Sequence, residues 1–311
     1  MLLEQTKRQM DKNNFRVSII IPNYNGRELL AENLPSVVLS KKEKRNQILE
    51  IIIVDDASSD GSVELIKKFF PEIKIVRHKA NRGFSASVNT GARTATGDLL
   101  VLLNSDVSPE KRFLINVISH FNDENVFGVS LHEKGYGPAK GKLEAGFIVH
   151  DPAKESSSAK ETFWVNGGSG VFRRSYWMKL GGMDEKLFSP FYWEDVDLSY
   201  RAAKRGWKNL WEPNSKVVHK HESTIGKISR LKRQKIQERN QLLFTLKNLT
   251  SPTLFRRHLS GIISRIGKHP GYIIILIMAL TKISIAHRLR VKEKKESKIS
   301  DEAIFDKFKN D

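Results

Sequence analysis

The sequence contains no cysteine. That absence excludes disulfides, thiolate metal sites and cysteine nucleophiles, so any metal must be held by oxygen or imidazole ligands. The sequence also lacks a dinucleotide-type glycine fingerprint and a Gly-Lys-Ser/Thr phosphate loop, which removes the main support for a nicotinamide or ATP enzyme. Residues 1–15 have no apolar stretch long enough for a signal peptide, and we therefore expect the functional part of the chain in the cytoplasm.

Acidic residues are scarce compared with basic ones, 35 against 53, which gives a formal net charge of +18. Most of the excess lies in residues 216–311, where 22 Lys and Arg face 8 Asp and Glu. A basic region of this kind can meet nucleic acid, acidic partners or an anionic membrane, and charge alone does not choose among them. With 311 residues, 39% of them hydrophobic, the chain can form one large domain or a domain with an appendage.

The first half alternates short apolar runs with helical patterns. The apolar runs are continuous, as in strands buried on both faces, and occupy 17–22, 50–56, 74–77 and 98–104. The segments between them at 27–40, 61–70 and 83–95 have helical patterns. This order predicts a doubly wound, mostly parallel α/β sheet with ligands at the carboxyl ends of its strands.

Polar residues follow three of these predicted strands, at the expected ligand-binding edge. They are Asn23-Tyr24-Asn25-Gly26, Asp55 to Gly61, and Asn104-Ser105-Asp106. Each group is also typical of turns and helix caps, so each alone is ambiguous. Further along, the polar segment 137–161 predicts a mobile loop or an excursion of the chain near the site. The glycines of 167–170 favour either a bulged strand or a close approach of a ligand or another backbone.

Residues 188–207 read FSPFYWEDVDLSYRAAKRGW and gather three acids beside aromatic rings. A solvated helix start would explain Glu194, Asp195 and Asp197, with Asp197 paired to Arg201 one turn later. A functional carboxylate cluster would explain them equally well, and the rest of the chain must decide.

The ordered set of motifs over about 16–250 resembles the family 2 glycosyltransferases, which are inverting enzymes with the GT-A fold, and particularly their rhamnosyltransferase-like bacterial members. The matching segments are Ile21 to Asn25, Val54 to Gly61, Asn81 to Phe84 with Asn89 and Gly91, Leu103 to Asp106, Gly167 to Gly170, Glu194 to Asp197 with Arg201, and His219. The resemblance implies an N-terminal tail (1–15), a GT-A domain (16–250) and a basic helical extension (251–311). Within the domain it implies a nucleotide-sugar part (16–125) and an acceptor and catalytic part (126–225).

The resemblance also implies roles for individual residues. Asp195 is the catalytic base, and Glu194 binds acceptor or donor hydroxyls beside it. The implied metal is Mg²⁺ or Mn²⁺, held by Asp106 and by His219, with His221 as an alternative; Asn104 replaces the first acid of the family's D-x-D motif. The implied donor site contains Pro22, Tyr24, Asn25, Asp55, Asp56, Arg82, Asn104, Ser105 and Asp106, with either Asp55 or Asp56 at the nucleoside. The implied acceptor site contains Trp193, Gly168 and Glu194, although Trp193 could equally belong to the core.

The tail adds a prediction about location. Residues 228–250 form a basic amphipathic pattern that ends near Pro252, and a short terminal helix begins near Ser300. The apolar run Tyr272 to Leu280 is too short to span a bilayer, and with its basic flanks it favours an interfacial helix at the inner face of the cell membrane. The alternative is a helix packed on the catalytic domain with a solvated basic face.

The resemblance thus implies an inverting glycosyltransferase that moves rhamnose from dTDP-rhamnose, or a hexose or N-acetylhexosamine from a UDP-sugar, to a glycan or lipid-linked acceptor of a cell-surface polysaccharide. One alternative is an inactive relative that only binds a nucleotide sugar or glycan. Another is a nucleic-acid-binding protein that uses the basic tail, although the sequence has no recognised nucleic-acid module and we expect no nucleic acid partner.

Overall fold

The computed structural model describes residues 14–220 and 229–309. Its N-terminal half is a parallel sheet with crossover helices, and the elements lie within two residues of the predicted ones. In chain order they are β1 (Val17–Asn23), α1 (Arg27–Lys42), β2 (Ile48–Asp55), α2 (Ser62–Phe69), β3 (Lys74–Arg77), α3 (Phe84–Thr94) and β4 (Leu99–Leu103). β1, β2 and β4 are mostly apolar and buried because helices cover both of their faces, whereas the edge strand β3 has exposed Lys74 and Arg77.

The second half adds further strands, from two to twelve residues long, and three helices. In chain order they are β5 (Val107–Pro109), α4 (Ile115–His120), β6 (Val126–Glu133), β7 (Ala139–Glu144), β8 (Phe147–Pro152), β9 (Lys160–Glu161), β10 (Ser169–Arg173), α5 (Arg174–Leu180), α6 (Glu194–Lys204) and β11 (Lys208–His219). The main sheet runs β3-β2-β1-β4-β10-β6-β11-β5, with β9 paired to β11.

The sheet changes direction at β10, and this change positions the candidate site. Strands β1 to β4 are parallel, whereas β10 is antiparallel to both β4 and β6. Ser169 at the start of β10 is paired with Leu103 at the end of β4. The glycines before Ser169 therefore meet the polar residues that follow β4. β6 and β11 are parallel to each other and run in the same direction as β1 to β4, whereas β5, β9 and β10 run against them. The sheet is therefore mostly parallel, as predicted.

The segment predicted as a mobile loop contains an antiparallel hairpin instead, because β7 and β8 pair from Ala139 opposite Pro152 to Glu144 opposite Phe147. The hairpin turn lies on the C-terminal helices, where buried His258 Nδ1 is 2.7 Å from the Gly146 carbonyl oxygen. The polar composition of this segment reflects one solvent-facing side of a docked hairpin.

Five helices complete the described chain, at the positions that the tail pattern predicted for the first and last of them. They are α7 (Arg230–Asn248), α8 (Pro252–Lys268), α9 (Ile273–Leu280), α10 (Ile283–Glu296) and α11 (Asp301–Asp306), with a 3₁₀ turn at Pro270–Tyr272. Ser300 caps α11 by accepting a hydrogen bond from the Ala303 N–H at 3.1 Å.

The five helices share one hydrophobic cluster with the second half of the domain. Tyr200 of α6 has its ring centroid 5.5 Å from that of Phe244 and 6.1 Å from that of Phe305. Among the described residues, no single helix has the length and apolar character to cross a membrane. Only the two segments Pro270–Leu280 and Ile283–Glu296, taken together, have that length and apolar character, and they are bent by 75° relative to each other.

Candidate active site

The loops after β1 and β2 are joined by side-chain hydrogen bonds. Asn23 Nδ2 donates to Asp55 Oδ1 at 3.1 Å and to Ser58 Oγ at 3.2 Å. Asn25 exchanges bonds with the second loop, since its N–H donates to Ser58 Oγ and its Oδ1 accepts from the Ser59 N–H, both at 2.9 Å. Asp55 is fully buried. The carboxylate of Asp55 therefore holds these loops in place.

Asp56 organises the next loop in a similar way. Its carboxylate accepts from the backbone N–H groups of Arg82 at 2.9 Å and Gly83 at 2.7 Å, and it lies 2.7 Å from His78 Nδ1. Asp56 is 3% exposed. Which of Asp55 and Asp56 meets a nucleoside stays open, because both side chains are occupied by protein groups.

Two other predicted donor residues present surface to solvent. The Tyr24 ring is 45% exposed beside the joined loops, and an exposed ring face is suited to stacking on a base. Arg82 has a half-exposed side chain whose Nη2 donates to Glu185 Oε2 at 3.0 Å. Pro22 is partly buried in β1 and supplies backbone shape instead of a polar contact.

Two glycines separate the loop after β4 from the start of α6. The Asn104 N–H donates to the Gly168 carbonyl at 2.9 Å, and a Cβ added at Gly168 would lie 2.5 Å from Asn104 Nδ2. On the other side, the Gly167 N–H donates to Asp195 Oδ2 at 3.1 Å, and a Cβ there would lie 3.1 Å from the Asp195 Cβ. Because Gly167 and Gly168 have no side chains, Asn104 and Asp195 can approach this short segment closely from its two sides.

The predicted metal residues are in contact. Asp106 Oδ1 lies 3.1 Å from His219 Nε2, and His219 Nδ1 lies 3.1 Å from Glu133 Oε2. Burial alone would lower the pKa of His219, but the hydrogen bonds to Asp106 and Glu133 outweigh it and raise the pKa to about 9. Glu133 also accepts from Asn166 Nδ2 at 3.1 Å and from Ser169 Oγ. His221, the alternative ligand, lies outside the described residues.

The Asp106 and His219 pair fits a divalent metal in part. With Nδ1 bonded to Glu133, the ring directs Nε2 toward Asp106, so a carboxylate oxygen and an imidazole nitrogen meet at one point. Oxygen and imidazole ligands suit Mn²⁺, and oxygen ligands suit Mg²⁺. Within 14–220 and 229–309 no group of three or more His, Cys, Asp and Glu side chains has a metal-site arrangement. This part of the protein thus offers a pair of ligands and leaves further positions to a bound diphosphate or water.

The two acids that begin α6 differ in environment. Glu194 is 7% exposed, and in the described part of the chain its Oε2 has no hydrogen-bond partner. Burial and the neighbouring Asp195 charge raise the pKa of Glu194 to about 8. Asp195 is partly exposed; burial raises its pKa, and the N–H groups of Gly167 and Val196 oppose that rise. Asp195 is therefore the more accessible of the two carboxylates.

The remaining predicted residues separate into core and support. Trp193 is 6% exposed, with its ring centroid 4.9 Å from that of Phe244 and 5.6 Å from that of His150. The prediction that Trp193 contacts a sugar acceptor is corrected: the indole is held in the core by these rings, as the alternative interpretation stated. Ser105 positions helix α1, because its carbonyl accepts from Asn33 Nδ2 at 3.1 Å.

Asp197 is the centre of a buried ion cluster that sequence reasoning saw only in part. Its carboxylate accepts from Arg201 Nε at 2.7 Å, as the spacing predicts, and from Asn248 Nδ2 at 2.8 Å. Lys247 Nζ lies 2.8 Å from Asp197 Oδ1. Both α7 residues are 50 or more positions away in the chain, so no local spacing could reveal them. Glu133 was also missed, and its only signal is an acid at the end of an apolar strand.

The comparison with protein families agrees with this arrangement. The family model described as Glycosyl transferase family 2 matches residues 18–180, which is more than half of the chain. The chain belongs to this family. It is 29% identical over 230 residues to a protein named pre-mycofactocin glycosyltransferase of Mycobacterium tuberculosis, a match that covers 67% of this chain and 43% of that protein. The chain spans about half the length of the curated relatives it matches.

Solved structures share the fold at low sequence identity. GalNAc-T7, crystallised with UDP, GalNAc and Mn²⁺, has a TM-score of 0.62 and 19% identity over 76% of this chain and 48% of its own. A mannosyltransferase from Pyrobaculum calidifontis in complex with GDP-Man and Mn²⁺ has a TM-score of 0.57 and 17% identity, covering 91% of this chain and 85% of its own. The fold is the GT-A fold, followed by a helical C-terminal region. Rhamnosyl specificity has no support in these matches.

Proposed function

We propose that the protein is an inverting glycosyltransferase that moves a sugar from a nucleotide-diphosphate donor to a glycan or lipid-linked acceptor in cell-surface polysaccharide synthesis. Asp195 carries this proposal, because its partly exposed carboxylate is held by the Gly167 N–H on the far side of two glycines from Asn104. A carboxylate with a raised pKa is a better proton acceptor. Asp195 takes the proton of the attacking hydroxyl, while the nucleotide leaves on the opposite face of the sugar.

The donor lies along the ends of β1, β2 and β4 in this proposal. The Tyr24 ring stacks on the base, and the loops ordered by Asp55 and Asp56 shape the nucleoside site. Asp106 and His219 hold Mg²⁺ or Mn²⁺, which when bound neutralises charge on the diphosphate. Both structural relatives named above were solved with Mn²⁺, and this supports the metal. dTDP-rhamnose and UDP-sugars remain the proposed donors.

We further propose that the protein works at the inner face of the cell membrane, bound peripherally. Support comes from α9, which has four apolar side chains between 47% and 62% exposed: Ile273, Ile274, Ile277 and Leu280. Their spacing places them on one broad face. Arg256, Arg257, Arg288 and Lys292 are exposed on the neighbouring helices α8 and α10. Apolar surface beside basic residues favours an anionic leaflet.

Calorimetry and a transfer assay together test the function. Titration of the full chain with dTDP-, UDP- and GDP-sugars, each with and without Mn²⁺, is expected to give metal-dependent binding of one donor. Asp195→Asn is expected to retain that binding and to lose transfer to the acceptor. Donor binding with undiminished transfer by the variant would remove Asp195 as the base, and donor binding without transfer by either protein would favour an inactive relative. No binding by any donor would reject the enzyme.

A further inference from the structure

A cavity of about 530 Å³ lies between the first turns of α7, helix α9 and the loop that precedes α6. Pro190 of that loop forms part of its wall, five positions before Asp195. The volume is sufficient for a small ligand headgroup. No predicted donor or metal residue lines it, so the cavity is separate from the candidate active site.

One side of the cavity is basic. Lys232, Lys235 and Arg239 line it, and their spacing on α7 places them on the same helix face. Lys232 and Lys235 are exposed. In the part of the chain that the structure describes, neither lysine is in a salt bridge or a hydrogen bond. Two uncompensated ammonium groups in one cavity attract an anion with several oxygen acceptors.

Behind this wall, Arg239 meets a fourth cation, Lys282. Arg239 Nη2 donates to the Ser189 carbonyl oxygen at 2.6 Å, and Lys282 Nζ lies 3.3 Å from the same oxygen. Burial and the nearby Arg239 charge lower the pKa of Lys282 to about 8. The like charges are held together by backbone carbonyls next to Pro190. An anion bound on the cavity side of Pro190 would reduce their mutual repulsion.

The other side of the cavity is apolar and continues onto the protein surface. Leu231, Ile236 and Met278 line it, and Leu231 is 72% exposed. Met278 lies one helical turn after Ile274 and next to Ile277, so the lining merges with the exposed face of α9. A ligand with a charged end and an aliphatic end matches this division.

We propose that the cavity binds the phosphate headgroup of a membrane lipid, with Lys232 and Lys235 on the phosphate and Leu231 and Met278 against the first carbons of the chain. This inference deepens the proposed function, and rests on it, by naming the anchoring group of a lipid-linked acceptor. Arg239 and Asn240 connect the site to catalysis: Arg239 binds the Ser189 carbonyl, and Asn240 Nδ2 donates to the carbonyls of Phe188, Phe191 and Tyr192. The lipid phosphate thus lies beside the loop that leads into α6.

Calorimetry with water-soluble ligands tests the cavity without a bilayer. The full chain is titrated with short-chain phosphatidic acid below its micelle-forming concentration, with short-chain phosphatidylcholine and with inorganic phosphate. We expect phosphatidic acid to bind at least about tenfold more tightly than either of the others, because only phosphatidic acid combines a net negative headgroup with aliphatic chains. Lys232→Gln/Lys235→Gln should weaken its binding about tenfold or more. Lys67→Gln/Lys68→Gln, which alters two exposed lysines of α2, should leave it unchanged.

Three results would overturn the inference. Equal binding of inorganic phosphate would make the cavity a simple anion site, and equal binding of phosphatidylcholine would make it an apolar one. Unchanged binding by the Lys232 and Lys235 variant would place the lipid elsewhere. A nucleotide-sugar titration of the same samples separates the two proposals. Lipid binding without nucleotide-sugar binding rejects the transferase and retains the cavity, and the reverse rejects the cavity alone.

Discussion

Lys247, near the end of α7, lies 2.8 Å from Asp197 in the first turn of α6, and both side chains are at most 2% exposed. The helix that carries the candidate base is thus held from one side by the C-terminal helices. Arg239, Asn240 and Lys282 bind carbonyls of the preceding loop in the same way. The C-terminal helices therefore help to form the active site.

Loss of the negative charge should mainly lower the stability of the protein at Asp197 and mainly lower the transfer rate at Asp195. Asp197→Asn leaves the buried Arg201 without its counter-charge and Lys247 with the more distant Asp184, 3.5 Å away, so the free energy of unfolding should fall by about 3–5 kcal/mol. Asp195→Asn should change it by less than about 1 kcal/mol, while the transfer rate falls at least about 100-fold. Denaturant unfolding and a transfer assay on both variants measure the contrast. Equal destabilisation by both would contradict the division into base and support.

Glu194 should make stability decrease with rising pH. Its pKa is raised in the folded protein from the ordinary 4.5 to about 8, so the folded state keeps a proton that the unfolded chain releases between these values. The free energy of unfolding contributed by Glu194 therefore falls as pH rises through that window. Glu194→Gln should remove this dependence and unfold at a higher temperature than the wild type at pH 8, with a smaller difference at pH 5. If the melting temperatures of the two proteins differ by the same amount at pH 5 and pH 8, the pKa of Glu194 is not raised.

Gly168 should not tolerate even one methyl group. In Gly168→Ala the added Cβ would lie 2.5 Å from Asn104 Nδ2, which must displace Asn104 from the loop that carries Asp106. We expect metal-dependent donor binding to weaken at least about tenfold while the fold is retained. Gly267→Ala on α8 is the control, because nothing lies within 4 Å of its added Cβ. Normal donor binding by Gly168→Ala would show that the close approach has no functional role.

Asp301 should be essential to the docking of α11. Its carboxylate lies 2.6 Å from Lys204 Nζ and accepts from Tyr200 OH at 2.7 Å, and both Lys204 and Asp301 are fully buried. Asp301→Ala leaves the buried Lys204 without the carboxylate that it pairs with, and should lower the free energy of unfolding by about 3–5 kcal/mol. The exposed Asp306→Ala, which removes a surface pair with Lys309, should cost at most about 1 kcal/mol. Comparable unfolding curves for both variants would rule out a buried pair.

The exposed face of α9 should control membrane binding. Ile274→Glu/Ile277→Glu replaces two exposed apolar side chains with acids, and co-flotation with anionic vesicles should fall at least about tenfold. Phe69→Glu is the control, since Phe69 is 63% exposed on α2, a helix of the N-terminal half. If both variants float like the wild type, α9 is not the membrane contact.

Much of the fold could be predicted because its signals are local. Continuous apolar runs mark the four parallel strands, and Ser300 marks the start of α11. The hairpin at 139–152 escaped prediction because its stability comes from docking on α8, through His258 and Gly146. Without knowledge of the helix on which it docks, the polar residues of this segment predict a loop.

The candidate site was predictable in its residue types but not in its contacts. Asp195, Asp106 and His219 stood out as motif residues, and the structure places Asp106 against His219. The hydrogen bond from Gly167 to Asp195 joins residues 28 positions apart. A contact over that distance in the chain leaves no periodic pattern in the sequence from which it could be predicted. Trp193 lies in the core for a related reason, because Phe244 of a distant helix covers it.

The supports that α7 and Lys282 give to the loop before α6 have a consequence during synthesis. A ribosome-bound chain that has exposed residues up to about 220 already contains every strand of the main sheet. It still lacks Lys247, Asn240 and Arg239, which bind Asp197 and the carbonyls of Phe188 and Ser189. The edge proposed to bind the nucleotide can therefore mature while the polypeptide is being made, and the candidate base is fixed in position only after the later helices have emerged and packed.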